Sequence, residues 1–96
     1  MKSVTIIVPV HNPSIEFEET VGSLLNQCYR NTNILLIDDC STIGLEILSQ
    51  YSQYDNVQIL KTEKNGGGGV ARNIGLRHCS SDYISFCDSD DVWPTD

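Results

Sequence analysis

Positive charge is scarce in this sequence: six Lys and Arg stand against 13 Asp and Glu, for a net charge of −7. A nucleic-acid partner is thereby disfavoured, because phosphate backbones are held by clustered Lys and Arg. An electrostatic hold on anionic lipid is disfavoured for the same reason. Long hydrophobic runs are also missing. The opening run, Val4 to Val10, is only seven residues, too short to cross a membrane and without a signal-peptide cleavage pattern. Four cysteines (Cys28, Cys40, Cys79 and Cys87) are spaced by 12, 39 and 8 residues. They form no CxxC pair and no zinc ribbon. Two disulfides could be drawn among them, but no secretory signal supports an oxidising compartment. Cys28, Cys79 and Cys87 sit among apolar or small residues and are expected as buried thiols. The expected setting is the cytoplasm, or the inner membrane face for a longer protein bound peripherally. No internal period marks a repeat array. GxGxxG does not follow the first strand and GK[ST] is absent, so neither a dinucleotide fingerprint nor a P-loop is present.

What is present suits one small globular domain. The 96 residues are 40% hydrophobic and 20% charged, enough for a thin core. Val4-Thr5-Ile6-Ile7-Val8 is a nearly continuous β-branched run, as expected of a strand covered on both faces. Pro9 to Pro13 follows as a turn. Ser14 is placed to cap a helix over about 15–28, with Glu16, Glu18 and Glu19 favourable near its start. Phe17, Val21, Leu24, Leu25 and Cys28 make its apolar stripe. A second strand is expected over Asn33 to Ile37. A second helix should begin near Ser41 or Thr42, with Leu45, Leu48 and Tyr51 on one face. Val57 to Leu60 reads as a third strand and Lys61 to Gly69 as a glycine-rich loop. A third helix is expected from about Val70 to Cys79, with Val70, Ala71, Ile74 and His78 on one side. Tyr83 to Cys87 closes the pattern as a fourth strand. The order βαβαβαβ implies parallel strands with right-handed crossovers. The expected fold is therefore a Rossmann-like, doubly wound, mostly parallel α/β sheet in the order 3-2-1-4.

In such sheets ligands bind outside the carboxyl ends of the strands. Those ends carry Val10-His11-Asn12, Asp38-Asp39, the glycine loop and Asp88-Ser89-Asp90-Asp91. Five carboxylates gathered at two strand ends would repel one another unless a cation sits among them. Oxygen donors favour Mg²⁺ or Mn²⁺, which keep positions open for phosphate oxygens. Asp88 and Asp90 are two apart, so on extended backbone both point the same way. An acidic turn facing solvent is the plain alternative.

These segments together resemble family 2 glycosyltransferases. Val4 to Asn12 is similar to their opening strand, and Ser23-Leu24-Leu25-Asn26-Gln27 to the end of their first helix. Leu36-Ile37-Asp38-Asp39-Cys40-Ser41-Thr42 is similar to their acidic second strand end. Asn65-Gly66-Gly67 with Ala71-Arg72-Asn73-Ile74-Gly75, and Asp82 to Pro94, complete five motifs in order along essentially the whole chain. The resemblance implies the N-terminal half of a GT-A fold. It also implies inverting transfer of a sugar from a nucleotide donor, a UDP-sugar by preference, to an acceptor it does not specify. It puts Pro9, Val10 and His11 along the nucleotide pocket, Asp39 on the base and Asp38 in support of the same turn. Arg72 would meet the nucleotide. Asp90 would coordinate Mn²⁺ or Mg²⁺ at the diphosphate, with Asp88 and Ser89 beside it on the donor side.

Two departures stand out. His11 replaces a more usual Tyr or Phe, and is either a ring that stacks on a base or a neutral structural histidine. Gly66 to Gly69 exceeds the usual glycine count, as a phosphate cradle or as a flexible connector. No residue here matches the family's general base, which is expected beyond residue 96. Residues 1–96 are accordingly expected to bind donor without competent transfer, as a domain cut before its acceptor half. Self-association through an exposed sheet edge after the fourth strand is a further expectation. A non-catalytic interaction module and a receiver-like, Mg²⁺-binding phosphoacceptor domain are the rival readings. The second is weakened because its acidic pair should follow the first strand.

Overall fold

The computed structural model describes residues 3–26, 32–62, 67–79 and 81–87. Four strands, β1 (Val4–Val10), β2 (Thr32–Asp38), β3 (Val57–Lys61) and β4 (Tyr83–Phe86), form one parallel sheet in the order β3-β2-β1-β4. This is the expected order. The helices are α1 (Ile15–Leu25), the short α2 (Leu45–Ser49) continued by a 3-10 turn at Gln50–Gln53, and α3 (Gly67–Arg77). Among the described residues no helix is long and apolar enough to cross a membrane.

The strands' alternation sends side chains into two cores. Ile6, Val8, Val10, Ile34 and Leu36 face Phe17, Val21 and Leu24 of α1, with Leu48 and Tyr51 closing that layer. Phe17 meets Tyr51 edge to face at 5.7 Å between ring centroids. On the other face, Ile7, Leu35 and Ile37 pack against Ala71, with Leu60, Ile74 and Cys79 around them. The first strand is thus covered on both faces, as its unbroken apolar run implies.

Several local expectations need correcting. Ser14 occupies the N-cap position of α1, but its hydroxyl makes no capping bond. The second helix starts at Leu45 rather than at Ser41 or Thr42, because Gly44 in a left-handed conformation (φ +76°) turns the chain in front of it. A Cβ at Gly44 would sit 2.5 Å from the Pro13 carbonyl oxygen, so the turn can pack this tightly only as glycine. Leu45, the first helical residue, consequently remains 43% exposed while Leu48 and Tyr51 are buried. The third helix begins at Gly67, inside the expected loop, and its buried side is Ala71, Ile74 and Gly75, not Val70 or His78. Gly75 lies so close to Ile7 that an added Cβ would meet its side chain at 2.7 Å. Cys87 is buried as expected, and Cys79 and Cys40 are half-buried free thiols; Cys28 lies outside the described residues.

Candidate functional site

The carboxyl ends of β1 and β2 lie in register, Val10 beside Asp38 and Asp38 beside Lys61. The ladder continues one residue past the strands: the Asp39 N–H donates to the Val10 carbonyl at 2.7 Å and the Thr62 N–H to the Asp38 carbonyl at 2.9 Å. The two chain reversals after β1 and β2 are therefore neighbours, and side chains join them.

Asp38 and Asp39 are only 2% and 5% exposed, a burial that a carboxylate withstands only when hydrogen-bonded. Asp38 Oδ1 accepts the Ser41 N–H at 3.0 Å, closing the turn from within. Asp39 Oδ1 accepts the Thr62 hydroxyl at 2.9 Å. Among the described residues no buried side-chain nitrogen or oxygen lacks a partner. His11 is exposed at the rim, with its Nδ1 2.7 Å from the Asp39 carbonyl oxygen. Asn12 joins the same knot. Its N–H donates to Ser41 Oγ at 2.9 Å, and its Oδ1 accepts the N–H groups of Thr42 and Ile43 at 2.8 and 3.2 Å. Asn12 and Cys40 both hold positive φ, 50° and 55°. Two such residues, neither of them glycine, in facing turns mark a rim whose backbone is over-determined by its contacts.

The other expected site residues divide. Pro9 is half-buried beside the rim, whereas the Val10 side chain belongs to the core under α1, so Val10 offers the rim its carbonyl alone. Arg72 is half-buried in the second turn of α3. Asp88, Ser89 and Asp90 lie outside the described residues, as does Gly66. The described residues contain no group of three or more His, Cys, Asp or Glu able to hold a metal ion. Asp38 and Asp39 spend oxygens on the turn and on Thr62.

Sequence reasoning gave no site role to Asn12, Ser41 or Thr62. Their signal was an Asn one residue after the strand end and hydroxyls flanking an acidic pair, residue types that bond backbone locally in turns. A cavity of about 230 Å³ opens at the opposite, amino end of the strands, among Asn33, Asp55, Asn56, Gln58, His78 and Ser81. It lies away from the carboxyl-end rim where open parallel sheets take their ligands, and the rim is the better candidate.

The fold and rim define an α/β domain of the class that binds at strand carboxyl ends, here with a GT-A arrangement. The chain belongs to glycosyl transferase family 2, whose profile matches residues 5–96. It is 41% identical over 98 residues to an uncharacterized glycosyltransferase of Haemophilus influenzae, covering 100% of this chain and 39% of that protein. Glycosyltransferase GlyG of Streptococcus pneumoniae serotype 4 is 36% identical over 91 residues, covering 93% and 30%. Among solved structures, S. aureus TarS 1-349 in complex with UDP-GlcNAc superposes with a TM-score of 0.88 at 31% identity, covering 97% of this chain and 28% of that one. The chain thus spans well under half the length of these relatives.

Proposed function

We propose that residues 1–96 form the donor-binding portion of an inverting glycosyltransferase that holds a UDP-linked sugar through a divalent cation. The observation that carries this is the knot at the carboxyl ends of β1 and β2, which fixes Asp39 and an exposed His11 ring side by side. Support comes from the family and from a fold neighbour that binds UDP-GlcNAc. In this reading Asp39 and Pro9 border the base, His11 offers it a flat face, and Arg72 approaches from α3. Three glycines open α3, and a helix N-terminus that brings no side chains of its own suits a diphosphate. Asp90, with Asp88 and Ser89 beside it, would hold Mn²⁺ or Mg²⁺. When bound there, the cation supplies Lewis-acid relief of the charge building on the departing nucleoside diphosphate. The acceptor and the base that deprotonates it are not assigned to any of these residues, and a cytoplasmic setting goes with the same reading.

Calorimetric titration with UDP, GDP and CDP, with and without Mn²⁺, tests it. UDP binding that requires Mn²⁺ and disappears in Asp90→Ala is the expected result. Binding without the metal, or none at all, overturns it. Acetyl phosphate labelling of Asp38 or Asp39 would instead support the receiver-like alternative.

Self-association belongs to the same proposal. β4 is paired on one side only among the described residues, and Tyr83, Ile84 and Phe86 are 53%, 39% and 43% exposed. Unpaired edges of this kind invite pairing. Sedimentation should show concentration-dependent dimers that Phe86→Lys abolishes; a monomer at every concentration refutes the edge as an interface.

A further inference from the structure

We propose that Asn12 is the positioning residue of the rim, clamping the turn that bears Asp38 and Asp39 and, together with the Asp39 carbonyl, orienting the His11 ring with a proton on Nδ1 and an acceptor at Nε2. The consequence for nucleotide binding rests on the donor-site reading above; the clamp itself does not.

The assignment follows from counting donors. Two backbone N–H groups, of Thr42 and Ile43, converge on one end of the Asn12 amide. Only oxygen can accept both, so that end is Oδ1 and the other is the NH₂ group. The NH₂ nitrogen lies 3.3 Å from His11 Nε2. It has only hydrogens to offer, so Nε2 must accept, and a ring that accepts at Nε2 carries its proton on Nδ1. The Nδ1–H then points at the Asp39 carbonyl oxygen 2.7 Å away. One residue, through its backbone N–H and its side chain, thereby does two things at once. It holds residues 41 to 43, some 30 positions later in sequence, through the Asn12 N–H and Oδ1. Through the imidazole it also holds Asp39 from the carbonyl side, while the Val10 carbonyl holds Asp39 from the amide side.

The backbone at Asn12 is consistent with this use. A φ of 50° is a conformation in which glycine would be the unstrained choice. Asparagine is the side chain that best tolerates it while adding hydrogen bonds. An imidazole bonded at both nitrogens cannot spin about χ2, so its exposed face has a fixed direction. That is the property a stacking surface for a planar base requires, because a ring that must first be ordered costs binding free energy.

The test uses two variants of the whole 96-residue chain. Asn12→Gly keeps the positive φ and removes all three side-chain bonds. Asn12→Asp keeps an acceptor oxygen for Thr42 and Ile43 but faces His11 Nε2 with an acceptor. In the unaltered chain, ¹⁵N shifts should report the Nδ1–H tautomer, and the Thr42 and Ile43 amides should be protected from hydrogen exchange. Asn12→Gly should lose that protection, keep the ring proton on Nδ1 through the Asp39 carbonyl, and weaken Mn²⁺-dependent UDP binding by about tenfold, the scale of one net hydrogen bond. Asn12→Asp should retain the protection and bring a proton to Nε2 in addition to the one on Nδ1, because both ring nitrogens then face acceptor oxygens. An Nε2–H tautomer in the unaltered chain, or full amide protection in Asn12→Gly, overturns the clamp. Absence of UDP binding in the unaltered chain counts against the donor reading, and the amide and ring signals still decide the clamp. If Asn12→Gly fails to fold, the unaltered chain and Asn12→Asp decide the tautomer on their own.

Discussion

Strands β2 and β4 both pair directly with β1 and have similarly apolar sequences, Ile34-Leu35-Leu36-Ile37 and Tyr83-Ile84-Ser85-Phe86. Yet four apolar residues of β2 are at most 4% exposed, while Tyr83, Ile84 and Phe86 of β4 are all more than a third exposed. The difference is positional. β2 lies between α1 with α2 on one face and α3 on the other, so both alternating sets of side chains meet a layer. β4 lies at the sheet's flank. It is tied to β1 by its ladder and to the chain start by Asp82, whose Oδ2 accepts the Ser3 N–H at 2.9 Å. Hydrophobic composition therefore says that a segment wants cover, and topology says whether these residues supply it.

Truncations on the two sides should break that comparison apart. Phe17, 2% exposed and edge-on to Tyr51, lies under the covered half of the sheet. Phe17→Ala should cost about 3–5 kcal/mol, the usual range for emptying a buried aromatic site. Phe86→Ala removes the same ring from a half-open position and should cost less than about 1 kcal/mol. Urea unfolding of both variants beside the unaltered chain measures this. Equal costs would mean that β4 is covered in solution by something, with self-association the first cause to examine.

A smaller, sharper contrast compares two helical glycines. At Gly22 in α1 an added Cβ meets nothing within 4 Å, whereas at Gly75 in α3 it would meet three atoms of the fully buried Ile7 at 2.7–3.1 Å. Gly22→Ala should stabilise by roughly 0.5–1 kcal/mol through helix propensity. Gly75→Ala gains the same propensity but must displace a side chain in a packed core, so a net loss of about 1–2 kcal/mol is expected. Melting temperatures that move in opposite directions would show that α3 rests directly on β1. Movement in the same direction would show that Ile7 has room to yield.

Gly75 also shows where the sequence was readable and where it was not. The elements, the parallel ladder and the acidic strand ends follow from the alternation of apolar runs and amphipathic stretches, because those periods are local; the order 3-2-1-4 followed only from taking the sheet as Rossmann-like. Gly75 carried no local sign of its partner; only the approach of α3 to Ile7 makes the missing side chain meaningful. The start of α3 at Gly67 contradicts glycine's low helix propensity and reflects tertiary placement overriding it. At the rim, the Asp38-Asp39 pair was visible as an acidic strand end, while the bonds of Asn12 to residues 41 to 43 were not, since they join turns 30 residues apart. Thr20 and Ser23, polar yet buried in α1, were missed for a related reason. Their hydroxyls bond backward to the Glu16 and Thr20 carbonyls, which lets small polar side chains enter an apolar face.

The covered half of the sheet should also show itself in alkali, by a weaker effect than either truncation. Burial beside Phe17 pushes the Tyr51 phenol above its ordinary value of 10.0, and the Glu18 carboxylate and Tyr54 push it the same way. All three disfavour the phenolate in the folded chain, so folding prefers the protonated ring. The resulting stability is fully present below pH 10.0, where the unfolded chain is protonated too, and is lost as pH rises through the folded-state value. Tyr51→Phe keeps the ring and its edge contact but cannot ionise. The stability difference between the unaltered chain and Tyr51→Phe should stay constant through neutral pH and shift in favour of the variant above pH 10.0. A difference that does not change with pH would mean that the Tyr51 hydroxyl is solvated in the folded chain, and that the layer under α1 is looser than its packing implies.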